Sequence, residues 1–285
     1  MNLAQRYLDI MKKCLSFTLW KEPLIPFDYL QKNNLLEAAQ LNVPQGQLGQ
    51  VRELGHELSK VGLELAVNFD PDDDLRQNGG YWPYYADTMI GLKRLDNIQF
   101  CMEYVLNHQI PGDFIETGVW RGGACIFMRA VLEAYGIKDR MVYVADSFKG
   151  LPPPETGGYT QDRGDILHSY GYLAVSKNDV QKRFYEYGLL DKQVAFLEGW
   201  FSETLPSAPI TKLSVLRLDG DMYASTMDVL TSLYEKLSDG GFCIVDDYTL
   251  EGCRKAIEDF RASLGISSPL VPIDPYSVYW QKGVF

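Results

Sequence analysis

Five short apolar runs, FIETG, RMVYVADS, QVAFLEG, LSVLRLDGD and FCIVDDY, recur from residue 114 onward with periodic stretches between them. Each run is too short for a helix and is bounded by Gly, Pro or acidic residues, so each reads as a buried strand. The stretches 123–135, 177–188, 225–238 and 250–263 carry the three-and-four spacing of helices. This alternation leaves little choice of fold, because parallel strands need long crossovers and the helices supply them. It predicts an α/β, doubly wound, mostly parallel sheet covered by helices on both faces. LVPID and SVYWQKG add strand material at the end.

Upstream of residue 110 the pattern is helical. Leu3, Tyr7, Ile10, Met11, Cys14 and Leu15 share one face of a helix over 3–15, a second helix is expected over 47–64, and a long one over 86–108 with Asp87 or Thr88 as its cap. EPLIPFDYLQKN reads as loop. FDPDDDLRQNGGYWPYY (69–85) reads as an irregular acidic and aromatic connection whose DPDDD lacks the Gly and closing Glu of an EF-hand. The expected division is a helical cap over 1–109 and a catalytic domain over 110–285, with LPPPETGGYTQDRGDILHSYGYLAVS (151–176), long for a connection, as a lid.

A net charge of −11 without a basic run argues against nucleic acid or an anionic membrane and for a small neutral or cationic molecule. The five cysteines stand singly, with no Cys-x-x-Cys, as buried thiols of a reducing compartment do. Charges interrupt the N-terminal helix where a signal peptide would be apolar, and no apolar stretch is long enough to span a bilayer. The expected location is the cytoplasm.

Ligands of doubly wound sheets bind beyond the carboxyl ends of the strands. Acids fall there repeatedly: Glu116, Asp146, Glu198, Asp219 with Asp221, and Asp246 with Asp247. IETGVWRGG (115–123) is a strand-to-helix turn whose Gly118, Gly122 and Gly123 permit close backbone approach to a ligand or tight packing alone, and its G-x-x-x-G-G spacing departs from the dinucleotide fingerprint. Asp146 suits a pair of ribose hydroxyls or a helix cap. Asp219, Asp246 and Asp247, with no His or Cys nearby, suit magnesium or calcium rather than zinc, although Asp246 or Asp247 also fits a cap.

DFIETGVWRGGACIFMRAVLEAYG, VYVADSFKGLPPP, EGWFSETLP, LRLDGDMYAST and GGFCIVDDY together resemble the macrocin O-methyltransferase family, which includes the mycinamicin and novobiocin sugar O-methyltransferases. The resemblance implies a Rossmann-like class I methyltransferase fold with a last antiparallel strand, S-adenosylmethionine and Mg2+ as cofactors, and a hydroxyl acceptor, a glycosylated natural product in the family, with a homo-oligomeric assembly. It implies that Glu116, Thr117, Gly118, Arg121 and Gly122 surround the methionine part of the cofactor, that Asp146 and Ser147 meet its ribose and adenine, and that Thr88 and Met89 lie over it. It assigns Asp219, Asp246 and Asp247 to the metal and leaves Asp221 as general base, with His168 of the lid as second candidate. Tyr159, Tyr170 and Tyr172 either stack on the acceptor or pack the lid down. A non-sugar phenolic or polyketide hydroxyl is the alternative acceptor. Rival readings are a haloacid-dehalogenase-like phosphohydrolase, suggested by the D-G-D motif, a nicotinamide-dependent sugar oxidoreductase, and a cofactor-binding protein without turnover.

Overall fold

The structure, a computed structural model, describes residues 2–33, 35, 44–154 and 159–283. The chain opens with α1 (Leu3–Leu15), β1 (Ile25–Pro26), α2 (Phe27–Lys32), α3 (Gln45–Ser59), β2 (Ala66–Val67), α4 (Asp73–Asn78) and α5 (Leu92–Asn107). It continues with β3 (Asp113–Thr117), α6 (Gly123–Ala134), β4 (Val142–Asp146), α7 (Lys177–Glu186), β5 (Val194–Glu198), α8 (Phe201–Thr204) and β6 (Leu213–Leu218). α9 (Tyr223–Leu233), β7 (Leu237–Val245), α10 (Glu251–Ser263), β8 (Val271–Pro272) and β9 (Val278–Gln281) complete it.

Seven strands form one sheet in the order β5-β4-β3-β6-β7-β9-β8. β3 to β7 run parallel, β9 is antiparallel to β7, and β8 is antiparallel to β9. Strand order therefore reverses between β3 and β6, the crevice where open α/β sheets take ligands. Alternation along the strands divides the core in two. Phe114, Val144, Val215 and Ile244 pack with Leu8 and Leu15 of α1, Leu95 and Ile98 of α5 and Phe127 of α6 on one face. Ile115, Leu216, Cys243 and Val245 pack with Val229 and Leu230 of α9 and Ile257 of α10 on the other. The N-terminal helices thus share the sheet's own core. Among the described residues no helix is long and apolar enough to cross a membrane.

Three segments depart from expectation. The helix expected from residue 86 begins at Leu92 behind Gly91, because both expected caps are engaged elsewhere: the Asp87 and Thr88 N–H groups donate to Leu15 O at 2.8 and 3.2 Å, and the Asp87 carboxylate accepts from Tyr187 Oη at 2.8 Å and pairs with Arg183. EPLIPFDYLQKN contains β1, which pairs with β2, and α2, which buries Phe27 and Leu30. DPDDD starts α4: Asp72 accepts from Leu75 N at 2.9 Å, Asp73 and Asp74 occupy the first turn, where acids suit the helix dipole, and Gly79 closes the helix.

Candidate active site

Register builds the acidic cluster. Glu116 of β3 lies beside Arg217 of β6, which lies beside Ile244 of β7. Side chains two residues apart share a face, so Glu116, Arg217, Asp219 and Asp246 gather on one side at the carboxyl ends of adjacent strands. The fully buried Arg217 guanidinium pairs with Glu116, with Asp219 Oδ2 at 2.7 Å and with Asp246 Oδ1. Arg94 of α5 reaches the other oxygen of Asp246 at 2.6 Å and Asp274 Oδ2 at 2.6 Å. Two arginines therefore lock Asp246 in place.

Asp219, Asp246 and Asp247 each bring a carboxylate oxygen within 4.8 Å of the others. Among the described residues, the cations that pair with the carboxylates of this cluster are Arg94 and Arg217. Burial, with their mutual repulsion, holds the Asp219, Asp221 and Asp247 carboxyls above the usual carboxylate range, and burial pushes Glu116 up to about 7 against the pull of Arg217. Hard oxygen donors, close together and short of positive charge, fit a divalent cation such as magnesium.

A cavity of about 620 Å³ opens at the switch point. That is within the roughly 300–1,000 Å³ usual for small-molecule sites. Its walls come from the turns after four parallel strands: Gly118 and Trp120 after β3, Asp146 and Ser147 at β4, Trp200 and Phe201 after β5, and Asp219 to Met222 after β6. Trp120, Phe148 and Asp221, in three of these turns, adopt left-handed backbone conformations at φ 47°, 56° and 58°. Such strain in non-glycine residues concentrates at functional sites. Gly118 has φ 90°, and a Cβ there would lie 1.6 Å from Asp219 O, so the glycine turn and the acidic turn pack backbone to backbone. Among the described residues, no Lys, Arg or His lines the cavity.

Of the residues expected at the cofactor, Met89, Gly118, Asp146 and Ser147 line the cavity, and Thr88, Glu116, Thr117, Arg121 and Gly122 do not. Glu116 is occupied by Arg217 and by the Cys125 thiol, 3.0 Å away. Thr117 is buried and donates to Arg217 O at 3.3 Å. Thr88 is buried, its hydroxyl accepting from Ile90 N at 3.3 Å. Arg121 donates to Tyr84 O and Ala86 O at 2.8 and 2.6 Å and lies over the Trp120 ring, so it fastens the cap to the turn. Gly122 makes room for Val180, which a Cβ would meet at 2.6 Å. Asp146 accepts from Val119 N at 2.7 Å and Phe148 N at 2.6 Å, tying the two turns together at the cavity wall.

Asp219 and Asp221 both line the cavity, and Asp246 and Asp247 stand behind them. The Asp221 N–H donates to Asp247 Oδ2 at 3.2 Å, and among the described residues nothing donates to the Asp221 carboxylate. His168 is exposed and does not line the cavity. Tyr170 and Tyr172 pack against Trp82 at centroid distances of 5.2 and 5.4 Å, so they hold the lid down, while Tyr159 lines the cavity. Residues 155–158 of the lid lie outside the described residues. Sequence reasoning missed Trp120, Trp200, Phe201, Asp162, Arg94 and Arg217. Strand parity marked only Arg217, as the one charge inside the run VLRL.

Residues 4–282 match the family model described as macrocin O-methyltransferase (TylF). The chain is similar to the 8-demethyl-8-(2,3-dimethoxy-alpha-L-rhamnosyl)-tetracenomycin-C 4'-O-methyltransferase of Streptomyces olivaceus, 53% identical over 213 residues, which is 74% of this chain and 82% of that one. It is 50% identical over 213 residues, 74% of this chain and 84% of the other, to the mycinamicin III 3''-O-methyltransferase of Micromonospora griseorubida. The solved structure of the O-methyltransferase NovP superimposes with a TM-score of 0.81 at 43% identity, covering 98% of this chain and 99% of that one. The chain belongs to the macrocin O-methyltransferase family and is an S-adenosylmethionine-dependent O-methyltransferase.

Proposed function

We propose that the enzyme methylates a sugar hydroxyl of a glycosylated secondary metabolite, with magnesium held by Asp219, Asp246 and Asp247 and with Asp221 as general base. The observation that carries this reading is the pairing of the acidic turn after β6 with the glycine turn after β3 across the switch point, where Gly118 and Asp219 touch. Relatives named for methylating rhamnosyl and mycinamicin substrates support a sugar acceptor. A lining without a basic side chain among the described residues suits a sulfonium cofactor and a neutral acceptor. It offers nothing to the phosphates of a phosphohydrolase or nicotinamide substrate.

In this reading Gly118, Asp146 and Ser147 hold the cofactor along the β3 and β4 turns, and Met89 covers it. Magnesium, when bound, supplies Lewis-acid chemistry that lowers the pKa of an acceptor hydroxyl and fixes its orientation. Asp221 takes the hydroxyl proton on its unengaged carboxylate. Burial raises the proton affinity of that carboxylate, which favours a base that must work near neutral pH. Arg217 and Arg94 keep Asp219 and Asp246 aimed inward. Trp120, Trp200 and Phe201 shield the reacting atoms from water, and much of the acceleration comes from alignment of the two substrates.

The test is methyl transfer from isotopically labelled S-adenosylmethionine to a rhamnosylated aromatic polyketide, with the label located by NMR. The expected result is label on a sugar oxygen, abolished by chelator and restored by magnesium. Label on a phenolic oxygen would replace the acceptor class, and transfer at full rate in excess chelator would remove the metal.

A further inference from the structure

Asp162 lies in the first 3-10 turn of the lid, Thr160–Asp162, 61 residues before Tyr223, yet it caps α9. Its two oxygens accept from the first amides of that helix, Oδ1 from Tyr223 N at 2.7 Å and Oδ2 from Ala224 N at 2.9 Å. Met222, at the helix's own cap position, gives no side-chain hydrogen bond, so these N–H groups rely on the lid for acceptors. A carboxylate at this end also suits the helix dipole. The contact is enclosed: Asp162 is 6% exposed, and the Tyr159 ring lies 4.7 Å from that of Tyr223. At the start of α10, a Cβ on Gly252 would stand 3.1 Å from Tyr223 N and 3.2 Å from Asp162 Oδ1. Three elements meet there with little room to spare.

Two residues before Tyr223 is Asp221, in its left-handed conformation at the centre of a tight turn in which Met222 N donates to Gly220 O at 2.6 Å. The end of the turn is therefore fixed by a side chain from the lid. We propose that Asp162 is a positioning residue that couples lid closure to the competence of the base, seating the Asp221 turn only while the lid is down. The proposal rests on the reading of Asp221 as base. The other end of the lid is held independently, by Trp120 Nε1 donating to Tyr172 O at 3.0 Å and by the Tyr172 hydroxyl donating to Pro83 O. Losing Asp162 therefore frees one end of the lid rather than the whole.

Hydrogen exchange on the full chain, loaded with S-adenosylmethionine and magnesium, tests it with Asp162→Ala and Asp162→Asn. Asp162→Ala should raise amide exchange at 222–226 by about tenfold or more, relative to distant helices, as local opening requires. It should lower kcat at saturating rhamnosylated polyketide by a similar factor, because misplacing a catalytic group slows the chemical step. Cofactor affinity should hold within about twofold, as no cofactor contact is removed. Asp162→Asn, which keeps one acceptor, should fall between wild type and Asp162→Ala in both measures. A purely structural residue would lower thermal stability and leave kcat at saturation intact. Unchanged exchange at 222–226 or unchanged kcat in Asp162→Ala overturns the coupling. Asp221→Asn, measured in parallel, separates the two readings: if it keeps full turnover while Asp162→Ala loses it, the base assignment fails and the lid contact stands.

Discussion

Asp219 and Asp221 are two residues apart, and in the proposed reading they differ in role through backbone rather than side-chain chemistry. Asp219 prolongs β6 and is held by Arg217, whereas Asp221 has turned into the left-handed region, where no hydrogen-bond donor among the described residues engages its carboxylate. Asp219→Asn should therefore weaken magnesium binding by at least about tenfold, the scale of losing a group that shapes a metal site, with activity partly recovered at high magnesium. Isothermal titration reads this directly, and unchanged affinity would remove Asp219 from the ligand set. The carboxylates were legible in the sequence because each follows an apolar run that could only be a strand. The arginines that aim them were not. Arg94 looks like any polar residue of an amphipathic helix, and the Glu116–Arg217 pair exists only once β3 and β6 are neighbours in register.

At the scale of elements, the turn after β3 and the end of β6 form one unit. Alanine at Gly118 would have to adopt φ 90° and place a methyl on Asp219 O. Left-handed strain alone costs a non-glycine residue about 1–3 kcal/mol. Gly118→Ala should thus weaken S-adenosylmethionine binding by about tenfold or more and weaken magnesium binding with it, since Asp219 must move. Normal affinity for both ligands, measured by calorimetry, would separate the two turns. The strands of the seven-stranded sheet were legible from their length and composition, whereas β1 and β2 were not. α4 carried a readable signature as well, Asp72 as cap and Gly79 as stop, but an acidic run read as solvated loop concealed it. The start of α5 was not legible, because α1 and α7 claim Asp87 from positions remote in sequence.

For the whole molecule, the acidic cluster links fold stability to pH and metal. Glu116 is raised to about 7, and Asp219, Asp221 and Asp247 are raised as well, so the metal-free folded state holds protons that the unfolded chain has released. The stability these groups contribute is complete below the ordinary carboxylate values near 4 and is lost as pH rises through the folded values. The metal-free protein should therefore melt at falling temperature from about pH 5 to about pH 8, and magnesium should restore most of the loss at the upper end. Scanning calorimetry with and without magnesium checks it; a midpoint that rises over that window contradicts it. The doubly wound sheet followed from the alternation of strands and helices, whereas the strand order that sets its switch point did not. The cavity walls did not, because Trp120, Trp200 and Tyr159 converge only through tertiary packing.

The central claim is that two acids in one turn divide metal binding from proton transfer, and single-turnover methyl transfer by Asp221→Asn tests it most directly. Asparagine is nearly isosteric and removes only basicity. With S-adenosylmethionine and magnesium shown by titration to bind as in wild type, the rate should fall at least about a hundredfold, the lower range for general-base catalysis. A near-normal rate under those conditions would contradict the account and send the search for the base elsewhere in the cavity.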